Sequence, residues 1–118
     1  MLSRINRLKK RYQFNYVYKA GEHFSGKNIV LYATTSKTKS IKVGFAVTKK
    51  IGKAFKRNLV KRRLREIVRK QLPNLKQNYN IIVVAKESIC DATFENLEVE
   101  FVNLLKKANL FISDEKNI

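Results

Sequence analysis

Acidic residues are scarce in this 118-residue chain, where nine Asp and Glu stand against 26 Lys and Arg for a net charge of +17. So large an excess on a small body is self-repulsive unless a polyanion neutralises it. A nucleic acid or an anionic membrane surface is therefore the expected partner. Tryptophan is absent, and cysteine, histidine and proline occur once each. The lone Cys90 excludes an internal disulfide and a cysteine-based zinc site, and no disulfide-linked partner is expected. The lone His23 excludes an acid–base pair of two histidines. The acids are poorly placed for a carboxylate-held catalytic metal, because seven of the nine follow residue 85, three of them on one predicted helix. No apolar run approaches the roughly eighteen residues of a membrane span. The opening Met-Leu-Ser-Arg-Ile-Asn-Arg has no continuous apolar stretch behind its charges. A soluble, cytoplasmic protein without a membrane partner is expected.

What is present suits a folded chain. The apolar fraction of 44% is ordinary for a globular protein, and the length suits one domain over 1–118. A basic arm over about 1–9 and a frayed tail over about 113–118 flank it. Phe14, Val17 and Tyr18 share one side of a short helical pattern that Gly21 can close. Residues 28–35 and 41–48 are rich in β-branched and aromatic residues and predict two adjacent strands, paired as an antiparallel hairpin. Residues 79–85 are almost continuously apolar, as a central strand requires. A long helix is predicted over 54–72, stopped by Pro73. A last helix has Phe94, Leu97, Phe101, Leu104, Leu105 and Ala108 at the spacing of one buried face. The fold class is an α/β (α+β) two-layer sandwich, with three main helices against a small mixed sheet.

The charge is unevenly spread. Of the 26 basic residues, 22 precede position 81, with only Glu22 and Glu66 as acids there; the segment 49–70 alone holds eleven and one acid. A charge run on a helix is often only a solvated face. Here, eleven residues make about three turns, so Arg57 and Lys61 point the same way as Val68 and Leu72. A face cannot be buried and cationic along its whole length. The first half of the helix is therefore expected to stand clear of the core. Arg57, Asn58, Lys61, Arg62, Arg65 and Arg69 form its stripe, with Lys49, Lys50 and Lys53 leading in. Arginine offers planar forks to phosphate and lysine a point charge, while Asn58 can read a base edge or a ribose hydroxyl or serve as a cap. Gly52 either turns the chain sharply or lets phosphate approach the backbone. Of the aromatic residues, Phe14, Tyr16 and Tyr18 of the first helix and Tyr32 of a strand can stack on bases if exposed, the hydroxyls of Tyr18 and Tyr32 favouring partial exposure, whereas Phe45 belongs with the core by its alternation.

The run from Val43 to Glu66, Val-Gly-Phe-Ala-Val-Thr-Lys-Lys-Ile-Gly-Lys-Ala-Phe-Lys-Arg-Asn-Leu-Val-Lys-Arg-Arg-Leu-Arg-Glu, resembles the signature of the bacterial ribonuclease P protein subunit. Arg7–Lys10, Phe14–Gly21 and Ile81–Ala85 extend the likeness over nearly the whole chain. The resemblance implies a left-handed β-α-β crossover and two RNA-facing surfaces. Lys49, Lys50, Lys53, Arg57, Asn58, Lys61, Arg62, Arg65 and Arg69 would meet the catalytic RNA. A cleft between the first helix and the sheet, with Phe14, Tyr18 and Tyr32, would hold the single-stranded 5′ leader of precursor tRNA. Hydrolysis would fall to the RNA and its magnesium, with no catalytic side chain, no organic cofactor and no assigned metal site in the protein. Lys42, Asn80 and Tyr18 depart from the residues common in the family. A structural RNA-binding protein and an autonomous nuclease are the rival readings.

Overall fold

The computed structural model describes residues 7–37 and 39–112. Most of the expected arm and all of the expected tail lie outside these residues. Helix α1 (Arg11–Ala20) leads into strands β1 (Glu22–Ser25), β2 (Ile29–Thr35) and β3 (Lys42–Ala46). Then come helix α2 (Ala54–Gln71), strand β4 (Tyr79–Ala85) and helix α3 (Phe94–Lys107). The four strands make one mixed sheet in the order β1-β2-β4-β3.

This order overturns the expected hairpin. Strands β2 and β3 are not neighbours: β4 lies between them, antiparallel to β2 and parallel to β3. The reason is burial. Strand β4, with Ile81, Ile82 and Val83 all fully buried, needs cover on both faces and both edges. The hairpin that does exist joins β1 to β2, with His23 opposite Tyr32 and Ser25 opposite Val30.

Alternation divides the sheet into two faces. Ile29, Leu31 and Ala33 of β2, Val43 of β3 and Ile81, Val83 and Ala85 of β4 point to one side. There Val60, Leu64, Ile67 and Val68 of α2 and Leu97, Phe101, Leu104 and Leu105 of α3 complete the main core. Phe45 packs against this core, as its alternation predicts. The opposite face is covered more thinly, by Leu8 and Val17 over Ile82, with Phe14, Tyr32, Ala46 and Val84 at the margin. One row of residues, His23-Tyr32-Ile82-Gly44, crosses all four strands on this side, and α1 lies over it.

Helix α3 also fastens the β1–β2 turn. Glu100 accepts the main-chain N–H groups of Asn28 (2.7 Å) and Ile29 (2.8 Å) and the Asn28 side-chain amide (2.9 Å). Lys86 Nζ donates to Ser25 Oγ and the Gly26 carbonyl, and Ser88 to the Lys27 carbonyl. The turn's polar groups are satisfied by side chains from the far end of the chain.

Candidate nucleic-acid interface

Helix α2 has no glycine or proline in its eighteen residues, and the Leu72–Asn74 turn containing Pro73 ends it as expected. Its start is set by Gly52, whose φ of 139° is a conformation L side chains avoid. That glycine turns the chain from the Lys49–Ile51 turn, which is pinned by buried Ile51, into the helix. The first turn of α2 contains no acid, and the N-cap Lys53 makes no side-chain capping bond. Cations there oppose the positive end of the helix dipole, and an anionic partner would relieve them.

Ala54, Phe55, Lys56, Asn58, Leu59 and Arg62 are exposed, and so are Lys49, Lys50 and Lys53. Arg57, Lys61 and Arg65 are half-buried along the flank. The helix is anchored earlier than the pattern predicts: Val60, less than two turns from the start, is 6% exposed. Only the residues before it stand clear, and beyond Val60 the cations occupy the sides and back of a seated helix. The rear of the stripe differs again. Arg69 is salt-bridged to Glu66, one turn earlier, and Lys70 to Glu98 of α3 at 3.1 Å, with Lys70 also over the Phe94 ring. The hydrogen bond from Arg69 lowers the Glu66 carboxyl below its ordinary value, and the same contact raises Arg69. Among the described residues Lys49, Lys50, Lys53, Arg57, Lys61, Arg62 and Arg65 make no ion pair. The unpaired cations thus belong to the leading two-thirds of the stripe.

On the thin face of the sheet, Phe14 reaches over Gly44, where a Cβ would stand 2.5 Å from the ring tip. Tyr18 meets Tyr32 edge to face, with ring centres 4.8 Å apart. Tyr18 stays 39% exposed, and its hydroxyl is raised in pKa by partial burial and then by Tyr32. Phe14, Tyr18 and Tyr32 therefore line one surface. His23 extends it, its ring 5.6 Å from that of Tyr32. No sequence signal marked it, because β1 is short and polar. Asn80 lies one row away, in register with Lys42 and Thr34; its Oδ1 is buried without a hydrogen-bond partner.

The two surfaces meet. Lys61 and Arg65 of α2 share a cleft of about 160 Å³ with Arg7, Phe14, Gly44 and Phe45. Phosphate and base could be held there side by side, by cations on one wall and a ring on the other. Among the described residues no three His, Cys, Asp or Glu side chains cluster as metal ligands. No described helix is long and apolar enough to cross a membrane.

Comparison with known proteins gives a consistent result. The Ribonuclease P family model matches residues 2–109. The ribonuclease P protein component of Natranaerobius thermophilus is 38% identical over 117 residues, covering 99% of each chain. The solved Staphylococcus aureus RNase P protein superposes with a TM-score of 0.84 at 30% identity, covering 91% of this chain and 98% of that one. The Thermotoga maritima RNase P protein gives 0.78 at 27% identity, covering 86% and 96%. With its three helices on a four-stranded mixed sheet, and over nearly its full length, the chain belongs to the ribonuclease P protein family, the RNA-binding protein component of a ribonucleoprotein nuclease of tRNA 5′ processing.

Proposed function

We propose that the protein holds the catalytic RNA with the leading part of α2 and the 5′ leader of precursor tRNA in the cleft between α1 and the sheet. The observation that carries this reading is the set of unpaired cations at Lys49, Lys50, Lys53, Arg57, Lys61, Arg62 and Arg65, continuous with a cleft lined by Phe14. Asn58, exposed in the same stretch, supplies the donor and acceptor that a base edge or a ribose hydroxyl needs. Phe14, Tyr18 and Tyr32 supply faces and edges on which unpaired leader bases stack.

Magnesium is assigned to the RNA partner, where it would supply the activated water for endonucleolytic cleavage. The protein's own part is electrostatic and positional. Its cations offset the repulsion between two polyanions, and its rings fix the leader relative to the scissile bond. This work is placed in the cytoplasm, where precursor tRNA is made.

Incubating precursor tRNA and magnesium with the protein, with the catalytic RNA and with both tests the division of labour. Stimulated cleavage is expected with both at limiting RNA, and none with protein alone. Cleavage by protein alone would make it an autonomous nuclease, and absence of stimulation would make it a structural RNA-binding protein. Glu66→Gln offers a finer check, because it leaves Arg69 without its carboxylate. Catalytic-RNA affinity is expected to rise and the salt slope to steepen by roughly 0.7 to 0.9, the increment of one further phosphate contact. An unchanged slope would place Arg69 outside the contact.

A further inference from the structure

Helix α1 has a second face that the cleft does not use. Phe14 and Val17 point to the sheet, whereas Tyr12 and Tyr16, four residues apart, point to the opposite side by the 3.6-residue repeat. Tyr12 is 68% exposed and Tyr16 59%. Neither ring pairs with another aromatic ring, and neither hydroxyl is hydrogen-bonded among the described residues. Two large half-apolar side chains left in water on one ridge add nothing to the core, and tyrosine is no better a helix former than lysine or glutamine at such positions. Their surroundings are uniformly cationic: Lys9, Lys10, Arg11 and Lys19 are exposed, and no acid occurs from Arg7 to Gly21.

We infer that Tyr12, Tyr16 and Lys19 form a separate contact ridge for unpaired bases of the catalytic RNA. Charge decides the occupant. A second copy of a +17 chain would bring like charge against the ridge, whereas RNA brings phosphates for Lys9, Arg11 and Lys19 and base faces for the two rings. The leader is assigned to the other side of α1. A strand held between helix and sheet would have to wrap around the helix to reach Tyr12. This inference rests on the protein's assembly with the catalytic RNA as proposed above, and adds a site to it.

The test compares three variants of the full-length protein for affinity to the cognate catalytic RNA. The double variant Tyr12→Ala/Tyr16→Ala removes both rings, Tyr12→Phe/Tyr16→Phe keeps them, and Arg62→Ala is the α2 control. Loss of one base stack predicts at least about a fivefold weaker complex for the alanine pair. The phenylalanine pair is expected within about twofold of the parent, and the alanine pair's salt slope unchanged, because no charge is removed. Both tyrosines are exposed, so an unchanged thermal melt is expected and confirms that the variants fold. If Arg62→Ala weakens the complex and the alanine pair does not, the ridge is overturned while the α2 assignment stands. If neither does, the assembly itself is wrong. A loss confined to precursor over mature tRNA would reassign the ridge to the leader and overturn it. Weakened self-association in sedimentation, with RNA affinity intact, would overturn it in favour of a second copy.

Discussion

Gly44→Val is expected to destabilise the fold and abolish the preference for precursor over mature tRNA, while leaving the α2 contact with the catalytic RNA in place. A β-carbon at this buried position would stand 2.5 and 2.6 Å from the Phe14 ring and 3.3 Å from Leu8 Cβ. Valine adds two methyl groups to that collision. The ring must leave its seat, and overpacking of this kind costs about 1–3 kcal/mol. The small cluster of Leu8, Val17 and Ile82 has little else to hold α1 on the sheet. Helix α2 is anchored on the opposite face by Val60, Leu64, Ile67 and Val68, so its RNA contact is preserved. Urea unfolding gives the first effect. Titration of the holoenzyme with precursor and mature tRNA gives the second, where the ratio of the two affinities is expected to fall towards one. A folded Gly44→Val protein with the parental ratio would separate Phe14 from leader binding.

Glu100→Ala carries the largest expected stability loss, and Glu100 is not among the residues of the proposed interface. Its carboxylate accepts three hydrogen bonds from Asn28 and Ile29, which are 5% and 0% exposed. Deleting it strands two buried main-chain N–H groups, each costing about 1–3 kcal/mol. A total near 3 kcal/mol is expected, and for a chain of this size that lowers the melting temperature by roughly 10 °C. Glu100→Gln keeps an acceptor oxygen and is expected to lose about half as much. Calorimetric melting distinguishes the two. A fall of less than about 1 kcal/mol in the alanine variant would mean that water replaces the carboxylate without penalty. Below the melting range, both variants are expected to bind the catalytic RNA as the parent does.

These two positions also mark what the sequence could and could not disclose. Helix α3 was legible because its apolar residues recur at three and four, and β4 because its apolar run is unbroken. The α2 boundaries followed from Gly52 and Pro73. The β2–β3 hairpin was misread, because proximity in sequence favours pairing neighbours. The competing demand, cover for both faces and both edges of β4, appears only when the whole chain is considered. Strand β1 was missed for a local reason: Glu22-His-Phe-Ser25 has one inward residue, Phe24, and is held by the Glu100 clamp from more than seventy positions away. His23 was consequently invisible, while the roles of Gly44 and the shared cleft depend on how α1 and α2 pack about β3. The cationic stripe was readable as a pattern, but not the early seating by Val60 or the capture of Arg69 by Glu66. Both depend on where the helix meets the sheet and on side-chain rotamers.

The central claim is that the leading part of α2 presents its unpaired arginines to folded RNA. Binding of the doubly substituted Arg57→Ala/Arg62→Ala protein to the catalytic RNA, followed over a range of salt concentrations, tests it most directly. If each arginine neutralises a phosphate, the complex weakens and the slope of log affinity against log salt falls by roughly 1.4 to 1.8 for the pair. A folded double variant with parental affinity and parental slope would contradict the account.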